Sequence, residues 1–332
     1  MADASDTPYV TRLEIAGFGC IDALDLKLTR LHAFVGPNDS GKSTILRAAA
    51  TTLQVPPSPR ELFRHAADLE NRALGVVARF NTGFFCTTVA DVWGWGTEVD
   101  DPVWGLATLR QLSRGGPGLV RLDPDAMRRA SAAIASNAPI DLGPRGDGLA
   151  SVLSALLEQE RDAFDAIERR LVAFFPHVAK IRLRTTESGS KALGFRLTSN
   201  VDITADEASE GLLYTLAFIT LTTWRRPLVL LVEEPENGLH PARIAEVVKM
   251  LRAVSHETQV LMATHSPLVL NELRGDEISI VTRPAGGSTR VTRLCDTPNY
   301  AERSKVYQNG ELWLSYGDAT EERALLHGEP RP

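Results

Sequence analysis

A glycine-rich segment near the start of the chain carries the residue types of a phosphate-binding loop. Residues 36–43 read Gly-Pro-Asn-Asp-Ser-Gly-Lys-Ser and match the pattern GxxxxGK[ST]. In this pattern backbone N–H groups bind phosphate oxygens, the lysine reaches the β- and γ-phosphates, and the hydroxyl binds Mg²⁺. We therefore predict that Lys42 is catalytic and that Ser43 is a magnesium ligand. The predicted nucleotide-binding residues here are Gly36, Pro37, Asn38, Asp39, Ser40, Gly41, Lys42, Ser43 and Thr44.

Two adjacent carboxylates follow a continuous apolar run. Residues 228–235 read Leu-Val-Leu-Leu-Val-Glu-Glu-Pro, which is typical of a buried parallel strand that ends in two acids. Ligands of such sheets bind at this edge. We expect Glu233 to hold Mg²⁺ through its water shell and Glu234 to orient or deprotonate an attacking water. The alternative is that both carboxylates only cap the next helix.

A histidine follows the next predicted strand along the chain. Residues 263–267 read Ala-Thr-His-Ser-Pro, and His265 stands where the end of this strand reaches the same sheet edge. We predict that His265 contacts the γ-phosphate. A histidine after a strand, taken alone, is more often a satisfied structural group. Its position after the loop and the two carboxylates favours the functional interpretation.

The elements that must position these residues occur in the required order. Residues 9–35 read as three short strands, and residues 42–53 read as a helix that ends before two prolines. The second half alternates between helix and strand, with predicted elements at 211–224, 228–232, 242–254, 260–264 and 278–282. This alternation predicts an α/β fold with a parallel sheet.

The middle of the chain differs in composition and predicts an inserted lobe over residues 91–175. Residues 91–144 hold several tryptophans and Gly-Pro steps, while residues 148–175 have apolar residues at helical spacing and predict one long amphipathic helix. Strands are expected at 181–184 and 195–198. We predict a single domain over residues 8–300 and a tail over 301–332, with the insert and the tail near Trp313 as candidate docking surfaces.

The composition of the chain argues against several classes of protein. The 332 residues carry a net charge of −6 and are 43% hydrophobic, as in ordinary globular proteins. No apolar run reaches the length of a membrane span and the first eight residues are acidic, so we expect a cytoplasmic protein without membrane insertion. Cys20, Cys86 and Cys295 form no paired motif and are interpreted as packing residues.

Taken together, the motifs resemble an ABC-type ATPase. The loop at 36–44 is followed by Ala-Ser-Glu-Gly at 208–211, by Glu-Glu-Pro-Glu-Asn-Gly-Leu-His-Pro at 233–241 and by Ala-Thr-His-Ser-Pro at 263–267. These segments resemble those of the RecF/SMC/OLD-like branch of ABC-type ATPases, and more narrowly ATP-binding proteins of the AAA_15/AAA_21 type. The resemblance implies a P-loop NTPase head with an antiparallel β subdomain, a mostly parallel core sheet and an inserted helical lobe. It implies ATP and Mg²⁺ as cofactors.

The same resemblance implies a homodimer in which two heads enclose two ATP molecules. Ser209 and Gly211 of one subunit would complete the γ-phosphate site of the other, a role suited to a helix N-terminus. Two departures from the family pattern are Ala208, where the signature usually has leucine, and Glu233, where transporter ATPases usually have aspartate. Residues 236–240 occupy the position of the D-loop, or serve only as a helix-entry turn. Neither Gln111 nor Gln159 can be assigned to a Q-loop.

Several functions fit such a head. A transporter subunit is disfavoured because the insert is large, and an OLD-type nuclease is not expected because few residues follow His265. We expect an ATP-hydrolysing dimer that acts with a separate effector protein in bacterial antiphage defence or DNA maintenance, an assignment by analogy. The non-enzymatic alternative is a scaffold or sensor with slow turnover.

DNA is a further candidate partner. A basic group lies on the strand pair predicted after the long helix, where alternate residues share a face; it comprises Lys180, Arg182, Arg184, Lys191 and Arg196. These residues could meet phosphates. The alternative is a solvated outer face on an acidic protein, and no groove-reading helix is evident.

Overall fold

The computed structural model describes residues 7–53, 74–81, 85–91, 94–99, 119–224, 227–284 and 287–316. The chain forms two compact units. The first contains residues 1–113, 228–234 and 248–332, and the second contains residues 114–227 and 235–247.

The described strands and helices follow the predicted order. The strands are β1 (Val10–Phe18), β2 (Ile21–Lys27), β3 (Leu31–Val35), β4 (Leu74–Phe80), β5 (Phe85–Asp91), β6 (Gly94–Val99), β7 (Leu119–Val120), β8 (Val178–Thr185), β9 (Lys191–Leu197), β10 (Asp202–Thr204), β11 (Val229–Glu233), β12 (Gln259–Thr264), β13 (Ile278–Thr282) and β14 (Arg290–Arg293). The helices are α1 (Lys42–Leu53), α2 (Pro124–Arg128), α3 (Leu149–Gln159), α4 (Arg161–Phe174), α5 (Glu210–Thr223), α6 (Pro241–Val254), α7 (Pro267–Asn271), α8 (Tyr300–Arg303) and α9 (Asn309–Tyr316).

The core sheet of the first unit is mostly parallel. Its strands run in the order β14-β13-β3-β12-β11, and the neighbours from β13 to β11 are parallel while β14 is antiparallel to β13. Every residue of β3, β11, β12 and β13 is buried. Strands covered on both faces are continuously apolar rather than alternating. The predicted parallel α/β core is therefore confirmed.

An antiparallel sheet completes the first unit. Its strands run in the order β2-β1-β4-β5-β6, and β1 buries Leu13 and Ile15 on its inner face. The predicted antiparallel β subdomain is confirmed. Strand β6 lies inside the segment predicted as an inserted lobe, residues 91–175, whose residues 119–175 lie in the second unit. The domain boundaries given by the sequence stay a prediction.

The second unit contains helices and a small antiparallel sheet of order β10-β9-β8. The prediction of one long helix over residues 148–175 is wrong, because α3 ends at Gln159 and α4 begins at Arg161. Glu160 between them has φ −139° and ψ 62°, and its N–H closes α3 by bonding to Leu156 O. Helix α3 is buried on all sides from Leu149 to Leu156, whereas α4 buries a single narrow face.

The break comes at a change in burial, since α3 is enclosed whereas α4 buries only Phe164, Ile167 and Leu171. No glycine or proline lies between Leu149 and Phe175 to mark it. Among the described residues, no helix is both long enough and apolar enough to cross a membrane.

Candidate functional site

Three adjacent parallel strands end at the same edge of the core sheet. Val35, the last residue of β3, lies beside Thr264 of β12, and Ala263 of β12 lies beside Glu233 of β11. The segments that follow these strands are the predicted phosphate-binding loop, His265 and Glu234. The structure thus brings together, within the first unit, the residues predicted from three distant parts of the sequence.

The phosphate-binding loop runs from Gly36 to the start of α1 at Lys42. A Cβ atom on Gly36 would overlap the carbonyl oxygen of Val281, so only glycine allows β13 to approach the loop this closely. Asp39 and Gly41 have φ of 62° and 109°, so the loop folds back on itself before the helix. The Nζ of Lys42 donates hydrogen bonds to Gly36 O at 2.8 Å and Pro37 O at 2.6 Å. The loop therefore curls around the lysine ammonium.

Helix α1 presents its N-terminus to the loop. The first turn contains no acidic residue, and the N–H of Ile45 bonds to Gly41 O at 3.0 Å. Ser43 and Thr44 are half-buried in this turn. The unpaired N–H groups of a helix N-terminus and its partial positive charge favour an anion at this end.

The two carboxylates occupy different environments. Glu233 is buried, with 7% of its surface exposed, as the last residue of β11. Glu234 is half-buried and has φ 51°, in the left-handed region that glutamate rarely adopts. Its N–H donates to Ala263 O at 2.8 Å, which extends the parallel ladder one residue beyond the strand.

His265 is exposed where β12 ends. The next residue, Ser266, donates its N–H to Thr264 Oγ1 at 3.0 Å, and α7 begins at Pro267. This local bond turns the chain directly after the strand, leaving the imidazole at the sheet edge. The structure is compatible with a contact from His265 to a ligand at that edge.

The donor set at this edge fits a hard divalent cation. Ser43 supplies a hydroxyl and Glu233 a carboxylate, and Mg²⁺ prefers oxygen ligands and keeps several waters. In the described part of the chain, no group of three or more His, Cys, Asp or Glu residues is arranged to hold a metal. Ser43 and Glu233 would form a site with few protein ligands, of the type in which Mg²⁺ is also bound by substrate phosphates.

Ser209 and Gly211 lie in the second unit, at the start of α5. Ser209 is the exposed N-cap, and its Oγ accepts a hydrogen bond from Leu212 N at 3.3 Å. Gly211 is half-buried in the first turn. Ala208, the departure from the family signature, has only 4% of its surface exposed. The signature segment therefore forms a capped helix N-terminus.

The segment 236–240 is a turn held against α5. Gly238 has φ 67°, and a Cβ atom there would overlap the ring of Tyr214. Asn237 Nδ2 donates to Tyr214 Oη at 3.3 Å, and the N–H of Leu239 bonds to Glu236 O at 3.1 Å. The N-terminal half of α5 and the segment 236–240 are thus packed together within one unit.

Two residues near the phosphate-binding loop were missed by the sequence analysis. Thr289, just before β14, donates its hydroxyl to Ser40 O at 2.9 Å. Cys20, interpreted as a packing residue, lies with its Sγ 3.5 Å from Thr44 Oγ1 and 3.2 Å from Thr289 Oγ1. Neither belongs to a motif, and only the strand register brings them to the loop. Cys295 is half-buried, with its Sγ 3.4 Å from Asp296 Oδ1, and the Cys86 side chain lies outside the described ones.

Of the glutamines and tryptophans named from the sequence, the structure describes only some. Gln159 ends α3, whereas Gln111, Trp93 and Trp104 lie outside the described residues. Trp313 is half-buried on α9.

The basic group of the second unit is smaller than the sequence indicated. The register sets Lys180 beside Arg196 and Arg196 beside Asp202, so these share the sheet face of Arg182 and Arg184. The one carboxylate, Asp202, lies within 4 Å of all three arginines of this face: Arg182, Arg184 and Arg196. Lys191 is five residues from Arg196 and so faces the other way, where it pairs with Glu158 at 3.3 Å.

Comparisons with known proteins agree with this fold. The family described as "AAA domain, putative AbiEii toxin, Type IV TA system" matches residues 101–271, which include Ser209, Glu234 and His265. The chain is 25% identical over 329 residues to a protein of Thermus scotoductus named "OLD nuclease"; the match covers 82% of this chain and 62% of that protein. The chain thus spans less than two thirds of that relative's length.

Solved structures with similar folds are heads of SMC proteins. The Smc head bound to the C-winged helix domain of ScpA has a TM-score of 0.66, with 16% identity over 90% of this chain and 100% of that chain. The Smc head with an extended coiled coil bound to the C-terminal domain of ScpA, from Pyrococcus furiosus, has a TM-score of 0.62, with the same identity and coverage. The head from Thermotoga maritima has a TM-score of 0.53, with 16% identity over 86% of this chain and 98% of that chain.

Proposed function

The chain belongs to the AAA_21 family and is an AAA/ABC-type ATPase of the RecF/SMC/OLD branch, and on this premise we propose that two copies of it bind and hydrolyse Mg-ATP between them. One observation carries the proposal. Gly36, Glu234 and His265 follow three adjacent parallel strands and meet at a single sheet edge. Such an edge is where ligands of open α/β sheets bind.

The residues of this edge take separate roles. Lys42 holds phosphate oxygens from inside the loop, and the N-terminus of α1 binds the same group through backbone N–H donors. Ser43 and Glu233 would hold Mg²⁺, whose charge would offset that of the phosphate oxygens. Glu234 accepts a proton from the attacking water, and His265 contacts the γ-phosphate.

ATP turnover by the Glu234→Gln variant tests the assignment of the base. General bases contribute about 10²–10⁴-fold to rates, so we expect at least a 100-fold loss of kcat, with ATP affinity retained. Glu187→Gln, which changes an exposed glutamate of the second unit in the same way, is the matched control and should leave kcat unchanged. Equal rates for wild type and Glu234→Gln would favour the scaffold alternative.

The dimer is proposed because Ser209 is the exposed N-cap of α5 and Gly211 lies half-buried in the first turn of that helix. In the proposed sandwich, this terminus completes the γ-phosphate site of the partner copy. Light scattering of Glu234→Gln with ATP should show twice the mass seen without ATP. An unchanged mass would contradict the sandwich.

Mixing two inactive variants tests whether each site is shared. Lys42→Ala removes the loop lysine and Ser209→Arg obstructs the signature, so each homodimer has two damaged sites. A mixed dimer keeps one intact site, and random two-fold pairing should restore about a quarter of the wild-type rate. No recovery would mean that each copy carries a whole site.

We place the cellular role, as a proposal, in antiphage defence or DNA maintenance with a separate effector protein. The support is the similarity to a protein named OLD nuclease and to a family described as a putative toxin of a toxin–antitoxin system. The test is phage plating on host cells that carry the native locus with wild type or Glu234→Gln. Equal plating on both would contradict a defence role that depends on ATP turnover.

DNA is proposed as a partner because of the outer face of the β8–β9–β10 sheet. This face presents four cations and one carboxylate in a chain whose net charge is −6. Binding of a labelled duplex by Arg182→Glu/Arg184→Glu should weaken and should depend less steeply on salt, by roughly one unit of slope per lost phosphate contact. Arg161→Glu/Arg169→Glu, which changes two exposed arginines of α4 in the same way, is the charge control. Equal affinity in all three proteins would contradict the DNA interface.

A further inference from the structure

The phosphate-binding loop is anchored from the side of the core sheet by one buried threonine. Thr289 has 2% of its surface exposed and precedes β14. Its hydroxyl donates to Ser40 O at 2.9 Å, and its N–H donates to Cys20 O at 3.0 Å. A single residue therefore joins the loop to the turn between β1 and β2.

The same threonine limits what can occupy the loop. Gly41 has φ 109°, and a Cβ atom there would overlap Thr289 Oγ1. Both the backbone conformation and the approach of Thr289 thus require glycine. The side chain of Ser40 does not supply the anchor, because its buried Oγ has no hydrogen-bond partner within the described residues. The anchored group is the carbonyl.

Because the Ser40 carbonyl is held by Thr289, the orientation of the Gly41 N–H is fixed as well. The described residues contain no cis peptide bond, so the Ser40 C=O and the Gly41 N–H lie on opposite sides of one planar peptide. Because the carbonyl points to Thr289, the N–H points away from it. Backbone N–H groups are the donors with which such loops bind phosphate. A hydroxyl carries one proton, and here it goes to the carbonyl, a better acceptor than the Cys20 sulfur.

We infer that Thr289 is a positioning residue for phosphate binding: its hydroxyl orients the Ser40–Gly41 peptide of the loop toward the β-phosphate of the nucleotide. Thr289 acts through this peptide and does not touch the ligand. The inference rests on the proposed nucleotide-binding function and adds to it a residue 249 positions from the loop.

Calorimetric titration with ADP and with AMP tests the inference on the full chain. Thr289→Val keeps the shape and removes the hydroxyl, and should weaken ADP binding about tenfold, which corresponds to about 1.4 kcal/mol. Thr289→Ser should restore ADP affinity to within about threefold of wild type. AMP lacks the β-phosphate, so its affinity should change by less than about twofold.

Thr51→Val is the matched control. Thr51 is also buried and donates its hydroxyl to a backbone carbonyl, Arg47 O at 2.8 Å, but lies further along α1. The Thr51→Val variant should bind ADP as wild type does. ADP affinity of Thr289→Val within twofold of wild type, or an equal loss for ADP and AMP, would overturn the inference.

Two further outcomes are decisive. If wild type itself binds no ADP, the proposed function fails, and the result differs from a failure of Thr289 alone. If Thr289→Val does not fold, Thr289→Ala replaces it, since alanine removes the hydroxyl without filling the space beside Gly41. Loss of folding in both variants would overturn the positioning role, because the residue would then support the fold in general.

Discussion

Lowering the pH from 7.5 to 5.0 should destabilise the protein through His32. This residue lies on β3, the strand that leads into the phosphate-binding loop, and none of its surface is exposed. The pKa of His32 is lowered to about 3, mainly by burial and also by the charge of Arg293, while the charge of Asp276 acts in the opposite direction. The imidazole is therefore neutral in the folded protein.

The hydrogen bonds of His32 determine which nitrogen carries the proton. Thr29 Oγ1 donates its single proton to Leu31 O at 2.6 Å, so it accepts from the His32 Nδ1–H at 3.1 Å. Nε2 is then the acceptor, and Ser279 Oγ donates to it at 2.9 Å. Protonating Nε2 would both place a charge in the core and break the bond from Ser279.

The direction and size of the change in the free energy of unfolding follow from the difference in proton binding between the folded and unfolded chains. Between pH 6.5, the ordinary pKa of histidine, and pH 3, the unfolded chain binds a proton that the folded chain does not. Stability is therefore full above pH 6.5 and falls as pH falls, by about 1.4 kcal/mol per unit. At pH 5.0 the loss is about 2 kcal/mol, a substantial part of the usual free energy of unfolding.

Urea unfolding of wild type and His32→Gln at pH 7.5, 6.5, 5.5 and 5.0 isolates this contribution, since other titrating groups cancel in the difference. Glutamine is neutral throughout and offers both a donor and an acceptor. We expect wild type to be the more stable at pH 7.5 and its advantage to shrink by about 2 kcal/mol at pH 5.0. His256→Gln, which changes an exposed histidine in the same way, is the matched control. A constant difference for His32→Gln would refute the reasoning.

Three further predictions concern stability. Arg252→Met removes two hydrogen bonds, at 2.8 and 2.7 Å, to the buried Glu277, which keeps its ion pair with Arg274. The change should cost roughly 2 kcal/mol in urea unfolding, and a loss below 1 kcal/mol would contradict this expectation. Gly238→Ala forces a side chain onto Tyr214 at positive φ and should cost about 2 kcal/mol; a neutral effect would contradict the described turn. Glu234→Asn should raise stability by about 1 kcal/mol, because asparagine tolerates φ 51°, while ATP turnover is lost; a lower melting temperature would contradict the strain.

The sequence predicted those parts of the fold that depend on local pattern. Helix α1 begins and ends at the predicted residues, since a glycine-rich loop precedes it and prolines follow. The apolar run before Glu233 marked a buried strand, and parallel strands place their ends at one edge. The convergence of Gly36, Glu234 and His265 therefore follows from strand order alone.

The parts that sequence reasoning missed depend on tertiary packing. The turn at Glu160 coincides with the change from the enclosed α3 to the partly exposed α4, and no glycine or proline marks it in the sequence. Thr289 reaches the loop only because β13 lies next to β3 and β14 next to β13. Lys191 does not share the face of the arginines, because its odd separation from Arg196 along β9 points it the other way, toward Glu158.

The backbone at Glu234 connects the fold to the proposed chemistry. The described residues other than glycine with positive φ are Asp39, Asn200, Glu234 and Asn299. Aspartate and asparagine tolerate this conformation, whereas glutamate gains nothing local from it. The bond from Glu234 N to Ala263 O holds the ladder one residue past β11, and the left-handed turn then redirects the chain. The side chain of Glu234 therefore starts from a strained backbone turn at the sheet edge, and relieving that strain with asparagine separates stability from turnover.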